Sequence, residues 1–308
     1  MFIPTQAADT STLVSLFAFA PLSTVDGPGK RVVVFFQGCG IGCEWCHSPH
    51  AQPSAAPLLF HADRCLGCGR CAVVCPSGAQ RVDADGHAVL RERCTACGAC
   101  VEACPQSSRH SGGGALSLPE RRVGVAALFR HACSHFDLAD GITLSGGEAL
   151  EQEEGAVDLL RFCRGAGVHT AVESSGLLAP EVYRRATSWV DCWLFGCRVV
   201  TARGQIPRTD RLERSLAAMR AGGGVVLPRL PAVPGVTDAG AVLRASADML
   251  KRAGIRAVWL LPWNPHYDQY YRALGREPHY PAPTREEADG TLDIMHRFYE
   301  SEGFDLMP

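Results

Sequence analysis

Three cysteines stand close together near the start of the chain, in Gly38-Cys39-Gly40-Ile41-Gly42-Cys43-Glu44-Trp45-Cys46-His47, with three and then two residues between them. Cubane [4Fe–4S] clusters are held by Cys thiolates. Three thiolates leave the fourth iron open, and an open metal position marks a reacting site rather than a structural one. A zinc knuckle or a chance trio is the plain alternative, because Cys is frequent here, at 15 of 308 residues. Farther on, eight cysteines form a repeat. Cys65, Cys68, Cys71 and Cys75-Pro76 are spaced by two, two and three residues, and Cys94, Cys97, Cys100 and Cys104-Pro105 repeat that spacing. This is the bacterial ferredoxin run, in which the fourth cysteine of each copy ligates the other cluster. The expected quartets are Cys65, Cys68, Cys71 with Cys104, and Cys94, Cys97, Cys100 with Cys75. Zinc sites rarely use four cysteines at this spacing followed by Pro.

The stretch STVDGPGKRVVVFFQGCGIGCEWCHSP around the first trio resembles the opening of the glycyl-radical-enzyme activating enzymes, the radical S-adenosylmethionine (SAM) family of the pyruvate formate-lyase activase. The resemblance spans nearly the whole chain and is strongest over residues 22–50 and 65–105. Its SGGEA and ESSG stretches look closest to the YjjW-type branch, which carries a two-cluster insert. The resemblance implies three [4Fe–4S] clusters and SAM as cofactors. It implies that the amino and carboxylate groups of SAM occupy the open iron at Cys39, Cys43 and Cys46. One electron then cleaves SAM to methionine and a 5′-deoxyadenosyl radical, which takes hydrogen from a backbone Gly Cα of a partner glycyl radical enzyme. A ferredoxin or flavodoxin supplies electrons, and the insert clusters either relay them or dock the partner.

The same resemblance assigns SAM contacts by position. Trp45 and His47 stand where the family touches the adenine; the plain reading of Trp45 is a packing residue. Gly146, Gly147 and Glu148 stand where the amino group is received. Gly lets backbone approach closely, and a carboxylate suits an ammonium. Glu173 and Ser174 replace an Asp-Thr pair that helps bind a monovalent cation. Gly196 and Arg198 replace the family's Asp-x-Lys, which removes a carboxylate and puts that cation in doubt; Arg is not a neutral swap for Lys. Arg229 is placed at the SAM ribose or carboxylate, against a surface salt bridge as the plain reading. Asn264 stands for a histidine near SAM. The lone Cys133, Cys163, Cys192 and Cys197 read as buried small hydrophobes.

These residues need a frame that gathers them. Val32–Phe36 reads as the strand that delivers Cys39, after a strand over Leu13–Ala20 and a turn at Asp26–Gly29. Beyond the insert, strands alternate with helices of ten to fifteen residues, which implies a parallel sheet. The expected helices are 122–136, 157–165, 180–187, 212–221, 239–253 and 284–302, the last opened by a capping box at Thr284. The strands are 142–144, 168–172, 190–195, 225–227 and 257–261. About six βα units match the partial (β/α)6 TIM barrel that the resemblance implies. Ligands bind at the C-terminal ends of such strands. The predicted organisation is a radical SAM core at 1–51 and 115–308, with a ferredoxin-like 2×[4Fe–4S] insert at 52–114. A hairpin over 80–89 lies between the cysteine copies, and a glycine exit at 111–114 follows them.

Net charge is −2, which gives no reason to expect nucleic acid or an anionic membrane surface as a partner. No run of about 18 apolar residues suggests a transmembrane helix. Eleven cysteines in tight groups point to metal and a reducing, anaerobic cytoplasm rather than secreted disulfides. Three other readings share these motifs: a radical SAM enzyme acting on a small molecule or peptide, a ferredoxin-like electron carrier, and a degenerate member impaired in SAM binding.

Overall fold

The computed structural model describes residues 12–107, 114–119 and 121–307. The apolar run Val32–Phe36 suits a strand covered on both faces, and it lies inside a nine-stranded sheet. The elements in chain order are β1 (Leu13–Ser23) and β2 (Arg31–Phe36), then β3 (Leu59–Phe60), α1 (Arg70–Val74), β4 (Gln80–Asp83), β5 (Gly86–Val89), α2 (Ala99–Ala103) and β6 (Leu116–Ser117). After these come β7 (Arg121–Gly124), α3 (Val125–Cys133), β8 (Gly141–Gly146), α4 (Glu153–Gly165), β9 (His169–Ser174), α5 (Pro180–Ala186), β10 (Cys192–Phe195) and α6 (Asp210–Arg220). The chain ends with β11 (Val225–Pro231), α7 (Gly240–Arg252), β12 (Ala257–Leu261), α8 (Gln269–Leu274), α9 (Arg285–Ser301) and β13 (Asp305–Leu306). The large sheet has the order β13-β12-β11-β10-β9-β8-β2-β1-β7. All neighbours from β2 to β13 pair parallel, while β1 runs antiparallel to both β2 and β7.

The expected α/β alternation is present, with local differences. The helix expected from Arg122 begins at Val125, because residues 121–124 pair with β1 as an edge strand. β11 continues past Leu227 to Pro231, and α8 and β13 stand where no element was expected. The capping box forms: Glu287 N–H donates to Thr284 Oγ1 at 3.2 Å, and Thr284 N–H donates to Glu287 Oε2 at 2.7 Å.

Strand side chains alternate between faces. One set, including Val32, Val34, Phe36, Ile142, Leu144, Val172, Trp193 and Phe195, joins the helices in the main core. The alternate set carries a small apolar patch at Ala171, Cys192 and Leu194. Polar Arg31, Thr143 and Glu173 share its phase. Arg31 is buried and donates to Thr143 Oγ1 at 3.1 Å and Ile142 O at 2.6 Å, while Thr143 Oγ1 donates to Asp26 O at 2.7 Å. This network fills the N-terminal end of that face of the sheet.

β3 and β6 form a short antiparallel pair where the cysteine-rich segment leaves and rejoins the core. That segment has its own apolar centre at Leu58, Cys71, Cys100, Val101 and Leu116. It is pinned to the core twice. Leu59 packs on Ala273 and Leu274 of α8, and the Arg91 guanidinium donates to Leu58 O and, at 2.7 Å, to Ala273 O. Its hairpin forms between β4 and β5, with Gly86 opening β5 rather than sitting in the turn. Of the expected glycine exit, residues 111–113 lie outside the described residues.

Candidate active site

β2 ends at Phe36 and hands the chain to a loop that folds back on itself. The buried Gln37 side chain donates to His50 O at 2.9 Å and Pro53 O at 2.7 Å. Gly38 N–H and Cys39 N–H donate to Ala51 O and Gln52 O at 2.8 and 2.9 Å. The loop therefore presents Cys39, Cys43 and Cys46 from a backbone already closed by hydrogen bonds. All three thiols are half-buried. Burial pushes Cys39 up to about 12 and Cys46 up to about 11, and raises Cys43 as well, with Arg198 beside Cys43 acting in the opposite sense. Burial thus favours the neutral thiols, and metal coordination is the kind of interaction that deprotonates such groups. Among the described residues no three ligand side chains converge closely enough to share a single metal ion.

The SGGE turn follows β8 directly beneath this loop. Gly147 N–H donates to Phe36 O and Glu148 N–H to Gly38 O, both at 2.8 Å. A Cβ on Gly147 would stand 2.1 Å from Gly38 O, and one on Gly146, whose φ is +118°, would stand 2.3 Å from Phe36 N. A Cβ would meet the backbone of β2 at Gly146 and that of the cysteine loop at Gly147, so both positions require glycine.

Glu148 is buried, at 1 % exposure. Its Oε2 accepts from Ser175 N–H at 2.9 Å and from Ser175 Oγ–H at 2.6 Å. Its Oε1 is buried and has no partner. Burial raises the carboxyl pKa, against the pull of the Ser175 hydrogen bonds. Next to it, Glu173 accepts from Ser145 Oγ–H at 2.7 Å through Oε2 and pairs with Arg229 Nη1 at 3.3 Å through Oε1. Arg229 is buried rather than a surface residue. It donates to Val25 O at 2.9 Å and lies 5.0 Å from the Trp259 ring centre. The His47 ring is accessible yet hemmed in by protein, and desolvation lowers its pKa; Glu173, Arg198 and Arg229 are near enough to act on its charge.

Other expected site residues are placed differently. Ser174 Oγ meets Tyr183 OH at 3.0 Å in the core, and the Ser174 side chain is also near enough to act on the Glu148 carboxyl; strand alternation puts Glu173 and Ser174 on opposite faces of the sheet. The Trp45 indole is packed into the main core with Nε1 unpartnered, as a packing residue would be. Arg198 hooks back to donate to Gly196 O at 2.7 Å. Asn264 is exposed, and its Oδ1 accepts from His266 N–H at 2.9 Å in a local turn. Of the lone cysteines, Cys163, Cys192 and Cys197 are buried but Cys133 is exposed, near the end of α3.

In the insert, Cys65, Cys68, Cys71 and Cys104 line one small pocket, and Cys75, Cys94, Cys97 and Cys100 line another. The fourth cysteine of each copy thus lies with the other copy's trio.

A model of 4Fe–4S dicluster domains matches residues 58–105. The choline trimethylamine-lyase activating enzyme of Oleidesulfovibrio alaskensis is 30% identical, over 89% of this chain and 91% of its own. The isethionate sulfite-lyase activating enzyme of Nitratidesulfovibrio vulgaris is 33% identical over 88% of this chain and 90% of its own. The benzylsuccinate synthase activating enzyme of Thauera aromatica is 31% identical over 84% and 81%. The chain belongs to the glycyl-radical-enzyme activating enzymes. It is a radical SAM oxidoreductase that cleaves SAM to generate a glycyl radical on a partner enzyme, and the insert is an iron–sulfur dicluster domain.

Within this activating enzyme, several residues near the site escaped the sequence reading. Ser175 aims Glu148 from just past the end of β9. Glu151, three residues after Glu148, accepts from Gly40 N–H at 2.6 Å and fixes the cysteine loop; the three-residue spacing was the available signal. His50 is buried between Phe17 and Tyr270, with ring centres 4.8 and 3.9 Å away, and nothing local marks it.

Proposed function

We propose that Cys39, Cys43 and Cys46 hold three irons of a [4Fe–4S] cluster, with SAM at the fourth iron, in a cleft floored by Glu148, Glu173 and Arg229. When bound, the cluster supplies the electron that cleaves SAM. The observation that carries this placement is Glu148 Oε1, a buried carboxylate oxygen without a partner beneath the cysteine loop. A SAM ammonium would complete it with a charge-assisted hydrogen bond. Arg198, beside Cys43, is the cation available for the SAM carboxylate, and His47 is the ring available to the adenine. A monovalent cation has little support: Gly196 brings no carboxylate, and Glu173 is engaged through both oxygens by Ser145 and Arg229.

In this reading the parallel strands form a partial (β/α)6 barrel, with core segments at 1–51 and 115–308 and the insert at 52–114. The insert quartets hold two further clusters that pass electrons from a ferredoxin or flavodoxin. Among the described residues no helix is long and apolar enough to cross a membrane, and a cytoplasmic location follows from the oxygen-sensitive thiolate sites. Anaerobically reconstituted protein should carry about twelve irons, four per cluster, and form 5′-deoxyadenosine with dithionite and SAM. Cys39→Ala should abolish that product and keep the insert's iron. SAM cleavage that persists in this variant would overturn the assignment.

A further inference from the structure

The two copies of the insert repeat share one backbone. Gly67 and Ala96 both take a positive φ, at 63° and 54°, and so do Gly69 and Gly98, at 72° and 84°. α1 and α2 start directly after Gly69 and Gly98. The cysteine spacing therefore matches Ala62 with Arg91, Leu66 with Thr95, Arg70 with Ala99, Val73 with Glu102 and Val74 with Ala103. Each copy shows which side chains the other could carry without loss of fold.

The copies differ in what they show to solvent. Leu66, Val73 and Val74 are 64 %, 87 % and 41 % exposed. Arg70 is exposed as well, and so is Cys68 of the first quartet. Leu66 lines the same pocket as Cys65, Cys68 and Cys71, so this stretch wraps the first quartet. At the matching positions the second copy has a hydroxyl, an acid and two alanines. Three large apolar side chains within nine residues are thus no requirement of the fold, and exposed apolar groups gathered in one place mark contact surfaces. Charge differs in the same direction. Residues 62–75 carry Asp63, Arg64 and Arg70, with Arg64 lying 3.7 Å from Asp63, so Arg70 is the charge in excess. Over residues 91–104 the exposed charges are Glu92, Arg93 and Glu102, with acid in excess. The points of attachment differ too. Arg91 of the second copy donates to Ala273 O of α8 at 2.7 Å, whereas its counterpart Ala62 is exposed.

We propose that Leu66, Arg70, Val73 and Val74 form the docking face for the protein that delivers electrons, a small carrier with an acidic contact surface. This rests on the reading of the two pockets as cluster sites. Arg70 meets the carrier's acidic rim, and the three apolar side chains meet its centre. Redox encounters of this kind bury less than about 1,200 Å², so a few side chains suffice. The radical enzyme must bring its glycine to the Cys39 site, whereas a carrier needs only an exposed cluster edge, which Cys68 provides. One electron leaves the reduced carrier and enters the cluster of the first quartet; no bond forms or breaks. The second copy, tied to the core by Arg91, is the onward side.

The test mixes reduced flavodoxin, an acidic carrier of this class, with the oxidised, reconstituted full-length protein and follows reduction of the iron–sulfur absorbance by stopped flow. Val73→Glu and Arg70→Ala give the first copy the residues that the second carries at the same positions. Val73→Glu should slow reduction by about tenfold, and Arg70→Ala by several-fold with a weaker dependence on salt, because rim charges act on association rate. Thr95→Glu adds the same charge to the other copy and should stay within about twofold of wild type. Dithionite should reduce all three variants as it does wild type. If Val73→Glu loses iron, Val73→Ser is read in its place. Equal slowing by Thr95→Glu, or no slowing at full iron content, would overturn the docking face. Unchanged reduction by flavodoxin with slower glycyl radical formation would give the face to the radical enzyme and overturn the proposal. Wild-type protein without the insert's irons would instead overturn the two-cluster reading on which it rests.

Discussion

Glu148 takes both hydrogen bonds of Ser175 on one oxygen, at 2.9 Å from the amide and 2.6 Å from the hydroxyl, and so keeps its other oxygen buried and bare. Two donors on Oε2 fix the plane of the carboxylate and oppose the burial that raises its pKa. Charge-assisted hydrogen bonds contribute about 1.5–3 kcal/mol. Glu148→Gln should therefore weaken SAM binding by about 10- to 100-fold, read as the loss of the SAM-induced change in the cluster's paramagnetic spectrum. Ser175→Ala leaves the charge but loosens its aim, and should cost about tenfold or less. Wild-type affinity in Glu148→Gln would remove this carboxylate from the SAM site.

Gly147 tests whether the SGGE turn supports the cysteine loop. Its absent Cβ leaves room for Gly38 O, the carbonyl just before Cys39. A backbone atom cannot swing aside as a side chain does. Gly147→Ala should push the loop away and lose about four irons of about twelve, the share of one cluster. The insert's irons should stay. Full iron content in Gly147→Ala would show that the loop tolerates the shift.

Much of this site is written in short-range spacing. The cysteine groups, the SGGE turn and the helix–strand alternation depend on a few neighbouring residues. What escaped depends on partners far away in the chain. Residues 122–124 carry a pattern compatible with a helix, yet β1 recruits them as a strand, and that pairing is not visible locally. In Glu173-Ser174-Ser175 local pattern does not show that Ser175, just past the end of β9, gives Glu148 both its amide and its hydroxyl. At Gly146 and Gly147 sequence alone does not show the close approach of β2 and the cysteine loop backbone. Arg229 looked equally suited to surface or site until Glu173 and Trp259 were seen against it.

Arg91 tests the join between insert and core. Its guanidinium is the donor to Leu58 O and to Ala273 O of α8, and burial lowers its pKa. Arg91→Met keeps the apolar stem and removes both donors. By the same scale, losing bonds to a charged donor costs about 1.5–3 kcal/mol, shared between the docking bond to Ala273 O and the bond to Leu58 O within the insert. Faster hydrogen exchange is expected in α8 and in residues 58–60, with the insert's irons retained. Slower reduction of the Cys39 cluster through the insert, alongside normal reduction by small dithionite, would place the electron route across this join.

His50 gives the fold a pH dependence whose sign follows from its burial. The ring is fully buried between Phe17 and Tyr270, with both nitrogens unpartnered. Desolvation, helped by the nearby His47, pushes its pKa down to about 3. The unfolded chain takes up a proton near the ordinary value of about 6.5, so the unfolded state binds more protons in acid. The contribution of His50 is therefore fully present above pH 6.5 and is lost as pH falls toward 3. Between pH 7.5 and 5.5 the loss should be about 1.4 kcal/mol, since one unit below the unfolded pKa corresponds to 1.36 kcal/mol. His50→Phe puts an apolar ring of similar shape into the same stack and should flatten that slope in denaturant unfolding, with the midpoint at pH 7.5 little changed. An undiminished slope in His50→Phe would assign the acid sensitivity to other groups.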